Sequence, residues 1–380
     1  MTLLSAQCFI TVVRLSESGA SALHVTAVGA VWALCHSSFS AVAGRIVNGK
    51  RASYLISMAC LFLIISAIGF VIFSSVYMQF IWAAMTGVGS AFFFCPFQIF
   101  MKYAENGKHN GIVRSTALYV LSWSSGVASG PFIAAFIWGE ISPLNGWKYC
   151  HIINAVLALI VGICIWPLSI YCHKHNQKDS SKRQSAPKVN YEKMPDWAWL
   201  GWIIGVGGCI AVSMIRTLFP YKANLLAINK IDQGIIIALV SYFQALTSLC
   251  FIKSRYWMYR SKPVVLFTLC GILSLICFWL GQTPWCFFLG AALFGIFSGC
   301  TFFLLVFHSL VHPELAPKYV ARNEIIVGVT GIIAPLAGGY IADYSTPGVP
   351  FAIAALILFS IILVHIKSAQ KIKDIIPASK

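Results

Sequence analysis

The stretch SSGVASGPFIAAF, residues 124–136, lies inside a long apolar segment that runs from Ile112 to Trp138 with a single charge, Arg114, near its start. Proline within a helix removes one backbone hydrogen bond and clashes with the preceding turn, and each glycine lowers helix stability further. Pro131 and the glycines beside it are therefore unexpected in a stiff helix and need a separate explanation.

The glycines of this stretch lie on one side of the helix. Gly126 and Gly130 are four residues apart, and Ala134 continues the same face. In lipid, apolar surfaces gain nothing by associating, so close helix contact depends on small residues that let backbones approach. Pro131 frees the carbonyl of Val127 and bends the helix. The stretch predicts a bent membrane helix whose small-residue face either moves against a neighbour or serves packing alone.

The composition excludes an ordinary soluble protein. Of the 380 residues, 59% are hydrophobic and only 10% are charged, whereas about a quarter of the residues in a soluble domain are charged. Such a chain cannot cover a water-facing surface, so its main solvent must be lipid.

Apolar stretches of roughly 20 residues cross a bilayer, and the sequence predicts an all-α polytopic membrane protein with about twelve of them. The first stretch would reach only ~22 Å as a helix, short of a ~30 Å hydrocarbon core. Either this helix is tilted and frayed, or the true start lies upstream. The predicted spans are 1–15, 22–43, 52–73, 78–101, 113–138, 148–169, 197–218, 235–252, 263–281, 284–311, 323–342 and 350–366.

Basic residues are distributed unevenly between the two sets of loops. If the amino terminus is cytoplasmic, 22 of the 27 lysines and arginines fall in inner loops or the tail, as the positive-inside rule requires. The predicted location is the cytoplasmic (inner) membrane, with both termini cytoplasmic. The net charge of +16 is then explained by the basic loops that orient the chain in the lipid bilayer, and no nucleic-acid partner is expected.

The sequence favours neither a cofactor nor a metal site. The thirteen cysteines are spread through the apolar spans without a C-x-x-C pair, so they read as small hydrophobic residues. No cluster of acids, histidines or nucleophiles falls at one depth, so a membrane enzyme is not expected.

One long polar segment, residues 170–196, divides the chain in two. The predicted units are a six-helix bundle over 1–169, this basic cytoplasmic linker, a second six-helix bundle over 197–366, and a cytoplasmic tail over 367–380. The halves resemble each other, because GVGSAFFF (87–94) has a counterpart in GIFSGCTFF (295–303), and SGPFIAAF (129–136) has one in IAPLAGGY (333–340). A parallel duplication about an axis along the membrane normal predicts this repetition.

Two motifs carry a resemblance to a known family. GRIVNGKR (44–51) looks like a shortened form of the loop signature G-x-x-x-D-[RK]-x-G-[RK]-[RK], without its aspartate, and GVASGPFIAA (126–135) is similar to the fifth-span signature G-x-x-x-G-P-x-x-G-G. With these motifs in this order along about twelve spans, the chain resembles the major facilitator superfamily (MFS) of transporters over nearly its whole length. The resemblance assigns conformational roles to Gly44, Gly49, Lys50, Arg51, Gly126, Gly130 and Pro131, with simple positive-inside anchoring as the alternative for Lys50 and Arg51. The internal repeat extends the role to Gly331, Pro335, Gly338 and Gly339 in the second half.

The resemblance implies two pseudo-symmetric bundles that enclose a central cavity and rock to expose it to each side in turn. The expected function is secondary active transport of a small-molecule substrate by a monomer, with a proton or another ion as the coupling partner. Efflux of an amphipathic compound and uptake of a small metabolite both fit, and a non-transporting sensor or scaffold is the alternative.

Polar and aromatic residues within the spans are the candidates for lining the cavity. Arg14 and Arg216 lie toward the outer ends of spans one and seven; they either attract an anionic substrate or extend to the outer headgroups. An amphipathic drug or a neutral metabolite would suit the aromatic candidates equally well. The full set is Gln7, Arg14, Tyr119, Trp123, Arg216, Tyr242, Gln244 and Phe302.

Proton coupling has two candidates. All eleven acids are predicted in loops or near span ends, so no carboxylate is expected at the midplane. His36, well inside span two, is the best titratable substitute, with a role in packing as the alternative. Glu324, near the cytoplasmic start of span eleven, is the second candidate, and pairing with Arg322 or Lys318 would be its alternative role.

Overall fold

The computed structural model describes residues 1–48, 51–73, 75–104, 111–179, 196–253, 256–257, 259–310 and 315–373. In this part of the chain the regular structure is helical throughout. The helices are α1 (Thr2–Glu17), α2 (Ala22–Ile46), α3 (Ala52–Ile72), α4 (Val76–Ala104), α5 (Gly111–Phe136), α6 (Gly146–Asp179), α7 (Ala198–Leu225), α8 (Lys230–Lys253), α9 (Ser261–Leu280), α10 (Pro284–Leu310), α11 (Ala316–Tyr344) and α12 (Val349–Lys373).

Eleven of these helices are long and apolar enough to cross a membrane, counting only the described residues. The exception is α1, which agrees with the prediction that the first span is short. Its side chains are nevertheless among the most buried, with Ile10, Val12 and Leu15 fully covered. Because α1 packs against α5 and α7, it is enclosed by protein on most sides.

Several helices extend past their predicted ends, and α7, for example, continues to Leu225. α6 continues to Asp179 and α12 to Lys373, so the predicted linker and tail begin within helices; residues 180–195 and 374–380 lie outside the described part. α11 begins at Ala316, not at the predicted 323. Apolarity marks the bilayer, but polar residues with good helix propensity continue a helix beyond it.

The prolines of the two repeated motifs lie inside helices, as predicted. Pro131 is part of α5, which continues into a short π-helical segment, Ile137–Ile141, and Pro335 is part of α11. The carbonyl of Pro131 itself lies beside Gly234 of α8, where a larger residue would not fit.

The helix packing repeats with an offset of six helices. In the first half α3 packs on α4, α2 on α4, α3 on α6 and α1 on α5; in the second half α9 packs on α10, α8 on α10, α9 on α12 and α7 on α11. The halves meet through α2 with α11 and through α8 with α5, which are also equivalent under this offset. The fold is therefore the predicted pair of pseudo-symmetric bundles.

The small-residue face of α5 lies within one half. A side chain at Gly126 would meet Met1, and one at Gly130 would meet Thr2 and Ser5, all at the start of α1. The face that touches the other half is formed by Ala135 and the Pro131 carbonyl against Gly234. The face of α5 that touches the other half is therefore not the one that carries Gly126 and Gly130, because these two residues face α1.

The equivalent glycines of α11 divide between two neighbours. Gly338 lies beside Met214 of α7, matching the contact of α5 with α1. Gly331 lies against Ala33, and Gly339 against Thr26, both on α2 of the other half. Here the predicted small-residue face does join the two halves.

Candidate functional site

His36 and Glu324 meet where the two halves join. His36 lies fourteen residues into α2, or ~21 Å along it, and Glu324 eight residues into α11, or ~12 Å. The His36 Nε2 atom is 3.4 Å from Glu324 Oε2, with 3% of the histidine side chain and 22% of the glutamate side chain exposed. The structure thus joins the two residues that the sequence offered separately for proton coupling.

The sequence placed Glu324 near the cytoplasmic start of span eleven. Because α11 begins before the apolar stretch, this carboxylate lies inside the helix rather than at its start. Arg322, an alternative partner predicted for it, places its guanidinium 4.9 Å from the ring of Trp202 instead.

The imidazole of His36 is held by α4 and by its own helix. Its ring is stacked on Trp32 at 5.1 Å between centroids, and Phe94 meets it edge-on. The Nδ1 atom is 3.0 Å from the Ser90 hydroxyl, and that hydroxyl donates its own hydrogen to the Gly87 carbonyl at 2.7 Å. With its hydrogen on the Gly87 carbonyl, the Ser90 oxygen is free to accept from His36, which corresponds to the tautomer that carries a hydrogen on Nδ1.

Gln244 joins α8 to helices of both halves. Its Nε2 donates to Ser124 Oγ of α5 at 2.7 Å, and its Oε1 accepts from Ser298 Oγ of α10 at 2.5 Å. The side chain is fully buried. Both ends of the amide are thus engaged, which makes Gln244 a bridge between the halves.

Two other predicted cavity residues touch each other across the halves. Trp123 of α5 and Phe302 of α10 form an edge-to-face pair, with 5.6 Å between ring centroids. Both are partly exposed, as expected for side chains that border an internal space.

The remaining predicted polar residues are placed elsewhere. Gln7 is buried and accepts a hydrogen bond from Thr86 of α4, in its own half. Tyr119 is buried in α5, whereas Tyr242 is 52% exposed on the side of α8 that also carries the exposed Leu246. Tyr242 is therefore not brought together with the others.

The two arginines predicted to share a vestibule face different partners. The Arg14 guanidinium lies 3.6 Å from the centroid of the Trp147 ring, on α6 of its own half. Arg216 is an electrostatic neighbour of Cys8 on α1 and of Cys209 on α7. Arg216 thus lies at the contact of α1 with α7, between the halves, away from the ring that holds Arg14.

Polar contacts also join the halves at the predicted outer end. Lys230 Nζ is 2.8 Å from Glu17 Oε1, and Asn224 donates to the Ser16 carbonyl at 3.2 Å. Asp343, at the end of α11, accepts from the backbone N–H groups that open α2. Sequence reasoning missed these contacts, since each partner is an ordinary polar residue next to a helix end.

The loop motif at 44–51 makes few contacts among the described residues. Gly44 faces open space, and Arg51 donates its backbone N–H to the Asn48 side chain at the start of α3. Gly49 and Lys50 lie outside the described residues, so their conformational role stays a prediction. In the described part of the chain, no group of three or more His, Cys, Asp or Glu residues is arranged to hold a metal ion.

Comparison with known proteins agrees with this geometry. The family model of the Major Facilitator Superfamily matches residues 1–310. An uncharacterized MFS-type transporter, YfkF of Bacillus subtilis (strain 168), is 23% identical over 299 residues, covering 75% of this chain and 71% of that protein. The crystal structure of the human organic anion transporter MFSD10 (TETRAN) superposes with a TM-score of 0.62 at 10% identity, covering 96% of both chains.

Proposed function

Because the chain belongs to the Major Facilitator Superfamily, we propose that it is a secondary active transporter that moves a small solute by alternating access. The observation that carries the proposal is the His36–Glu324 pair, a titratable contact between the two halves inside the spans. A carrier driven by protons needs a group of this kind, whose protonation changes how its halves associate.

The hydrogen bonds around His36 support a bound proton in this pair. Nδ1 already donates to Ser90, so without a further proton the lone pair of Nε2 would face a carboxylate oxygen at 3.4 Å. A proton between Nε2 and Oε2 turns that repulsion into attraction, which is strong where water is scarce. In the proposed cycle, the proton holds α2 against α11, and its release lets them part.

The surroundings of the pair leave few other places for this proton. Ser90, Trp32 and Phe94 cover His36 and do not titrate near neutral pH. On the other side, the Cys95 thiol of α4 is an electrostatic neighbour of Glu324. The pair is therefore the proton-binding unit in the proposed mechanism, with one proton exchanged in each cycle.

The two inter-half interfaces support a rocking motion. α2 meets α11 through Gly331 and Gly339, and α8 meets α5 through Gly234. Backbones separated only by small residues can pivot without repacking large side chains. The same motion serves efflux of an amphipathic compound or uptake of a small metabolite, according to the side on which the solute loads.

The decisive experiment starts from a ligand. Purified protein is screened by thermal shift against a metabolite and drug panel, since a ligand that binds the folded state raises its apparent stability. Each compound that shifts the melting temperature is then tested for uptake into proteoliposomes with and without a pH gradient. The proposal expects accumulation driven by the gradient.

The variant His36→Gln should abolish accumulation while equilibrative exchange continues. The control is His24→Gln, which changes an exposed histidine at the other end of the same helix. Gradient-driven accumulation that survives His36→Gln would contradict the coupling role. A ligand that binds but is never transported would instead establish the sensor or scaffold function.

A further inference from the structure

Arg216 differs from the neighbouring cations in lacking a partner. Lys222, also on α7, donates to the carbonyls of Phe278 and Trp279 at 2.7 and 2.8 Å. Lys230 pairs with Glu17. For Arg216, the described part of the chain supplies neither a hydrogen bond nor an acid, and its Nη2 atom is buried without a partner. Of these three cations, Arg216 is the one to which the described residues supply neither a carbonyl nor an acid.

The position of Arg216 is deep and central. It lies nine residues before the end of α7, and Cys8 lies nine residues before the end of α1, so both are ~13 Å from the predicted outer ends. The next residue, Thr217, packs against Gly29 of α2. Arg216 therefore lies where α1 and α2 of one half meet α7 of the other.

Glu324, an acid within the helical part of α11, is already engaged. Glu324 is in contact with His36, and the electrostatic neighbours of Arg216 itself are thiols. A guanidinium held in such a place without a counter-charge is unfavourable, and buried charges are ordinarily paired. An anion from outside the chain would supply the missing partner.

We propose that Arg216 binds the carboxylate of the transported solute, so that the substrate is a small organic anion. This inference rests on the proposed transport function and adds the substrate class to it. The planar fork of a guanidinium donates two parallel hydrogen bonds to a carboxylate. The side chains next to it on α7, Val212 and Ile215, are apolar and buried, which suits an anion whose remaining part is hydrophobic.

The place of the site explains how binding would act on transport. The anion would lie between α1 and α7, the first helices of the two halves, at the level where they touch. A bound carboxylate neutralises Arg216 and removes the penalty for closing the halves around it. An inorganic anion such as chloride offers the same charge, and the test separates the two sources.

The test uses the purified full chain and matched probes. Alkyl and aryl carboxylates such as octanoate and phenylacetate are each paired with the corresponding primary amide, and sodium chloride is titrated alone. The proposal expects carboxylates to raise the melting temperature of the wild type while their amides do not. Equal shifts from both members of the pairs, a shift with chloride only, or no shift with any carboxylate would overturn it.

Three variants assign the effect to Arg216. Arg216→Gln should weaken carboxylate binding about a hundred-fold, as expected when one partner of a buried charge pair is removed, and Arg216→Lys should retain part of it. The control Arg14→Gln removes the cation that rests on Trp147 and should leave carboxylate binding intact. Wild-type binding in Arg216→Gln would overturn the proposal.

The melting temperatures of the ligand-free variants give a second, independent test. Arg216→Gln should raise the melting temperature of the free protein, because it removes a guanidinium whose Nη2 atom is buried without a partner, whereas Arg14→Gln should lower it. If the melting temperature of Arg216→Gln falls as much as that of Arg14→Gln, Arg216 serves the structure and does not bind an anion. Gradient-driven transport of a neutral solute would overturn the anion site while leaving the proposed transport function in place.

Discussion

Asp343, near the end of α11, accepts a hydrogen bond from the backbone N–H of Ala22, the first residue of α2, at 2.8 Å. Its second carboxylate oxygen accepts from the N–H of Leu23 at 3.0 Å. A carboxylate at a helix N-terminus satisfies free donors and interacts favourably with the helix dipole. A residue of the second half thus caps a helix of the first, and the cap exists only while the two halves are closed at this end.

Asp343→Asn should therefore favour opening at the predicted outer end. Loss of a charged cap changes the free energy by about 1 kcal/mol, which corresponds to roughly a five-fold larger open population. The measurement is the labelling rate of a cysteine placed at Thr26, which is buried against Gly339, in a background without native cysteines. Asp232→Asn is the control, because Asp232 bonds only Asn229 beside it among the described residues. Equal labelling rates in Asp343→Asn and its parent would contradict the prediction.

The ion pair of Glu17 with Lys230 should contribute less than this cap. Its side chains are 36% and 25% exposed, and ion pairs exposed to water contribute about 0–1 kcal/mol. Lys230→Met should raise the labelling rate at Thr26→Cys by a smaller factor than Asp343→Asn does. The difference in labelling rate between Lys230→Met and its parent should also be smaller in high salt than in low salt, since exposed charges are screened. A larger effect than that of Asp343→Asn would show that the ion pair is the main contact.

Ser90→Ala should slow gradient-driven uptake. The Ser90 hydroxyl lies 3.0 Å from His36 Nδ1, so its removal takes away the partner that orients the ring toward Glu324. Loss of one hydrogen bond of this kind costs about 1 kcal/mol, which corresponds to roughly a five-fold smaller population of the paired state. The initial rate of uptake into proteoliposomes under a pH gradient measures the effect. Ser66→Ala, which removes a buried hydroxyl bonded to Thr86, should leave the rate unchanged, and an unchanged rate in Ser90→Ala would count against the proton site.

Gly130→Ala should lower the stability of the fold. An added methyl group at Gly130 would meet the backbone of α1 at the Thr2 carbonyl and the Ala6 nitrogen, and overpacking of this kind costs about 1–3 kcal/mol. The matched control is Gly44→Ala, in α2, where an added methyl group meets open space and should raise stability by about 1 kcal/mol. Thermal unfolding in detergent measures both. If Gly130→Ala melts above the wild type, the contact of α5 with α1 is not tight.

The same geometry changes what Gly130→Leu is expected to do. If the small-residue face moved against a neighbour, this variant would fold and remain trapped on one side; if the face served packing alone, the variant would not fold. Since Gly130 packs against α1 inside one half, a leucine there should prevent α1 from seating. Failure to fold, seen as aggregation during size-exclusion chromatography, is therefore expected. A folded variant that still binds ligand would restore the moving-face hypothesis for Gly130.

The predicted topology has its own test. Cysteines at Ser181 and Ser379, in the linker and the tail, should resist an impermeant thiol reagent in intact cells and react after lysis. A cysteine at Gln282, exposed between α9 and α10, should react in intact cells. Labelling at Ser181 or Ser379 before lysis would overturn the orientation assigned from the basic residues.

The sequence alone determined the fold class, because lipid imposes strict and local requirements. A helix that crosses the bilayer must be apolar over about 20 residues and must satisfy its own backbone, and both properties can be read from a contiguous stretch. Pro131 and Pro335, each among small residues, also marked the helices that join the halves, since small residues are what close helix contact in lipid needs. The short first helix was visible for the same reason.

Which residues meet across the halves was decided only by the tertiary structure. His36 and Glu324 were each identified as titratable, but their contact depends on the register of α2 against α11, and on a start for α11 that precedes its apolar stretch. Likewise, nothing local to Asp343 indicates that it caps α2, and nothing local to Arg216 indicates that its Nη2 atom is buried without a partner among the described residues, while Arg14 rests on Trp147. Periodicity specifies the face of one helix, whereas the rotation and depth of two distant helices relative to each other come from the packing of all twelve.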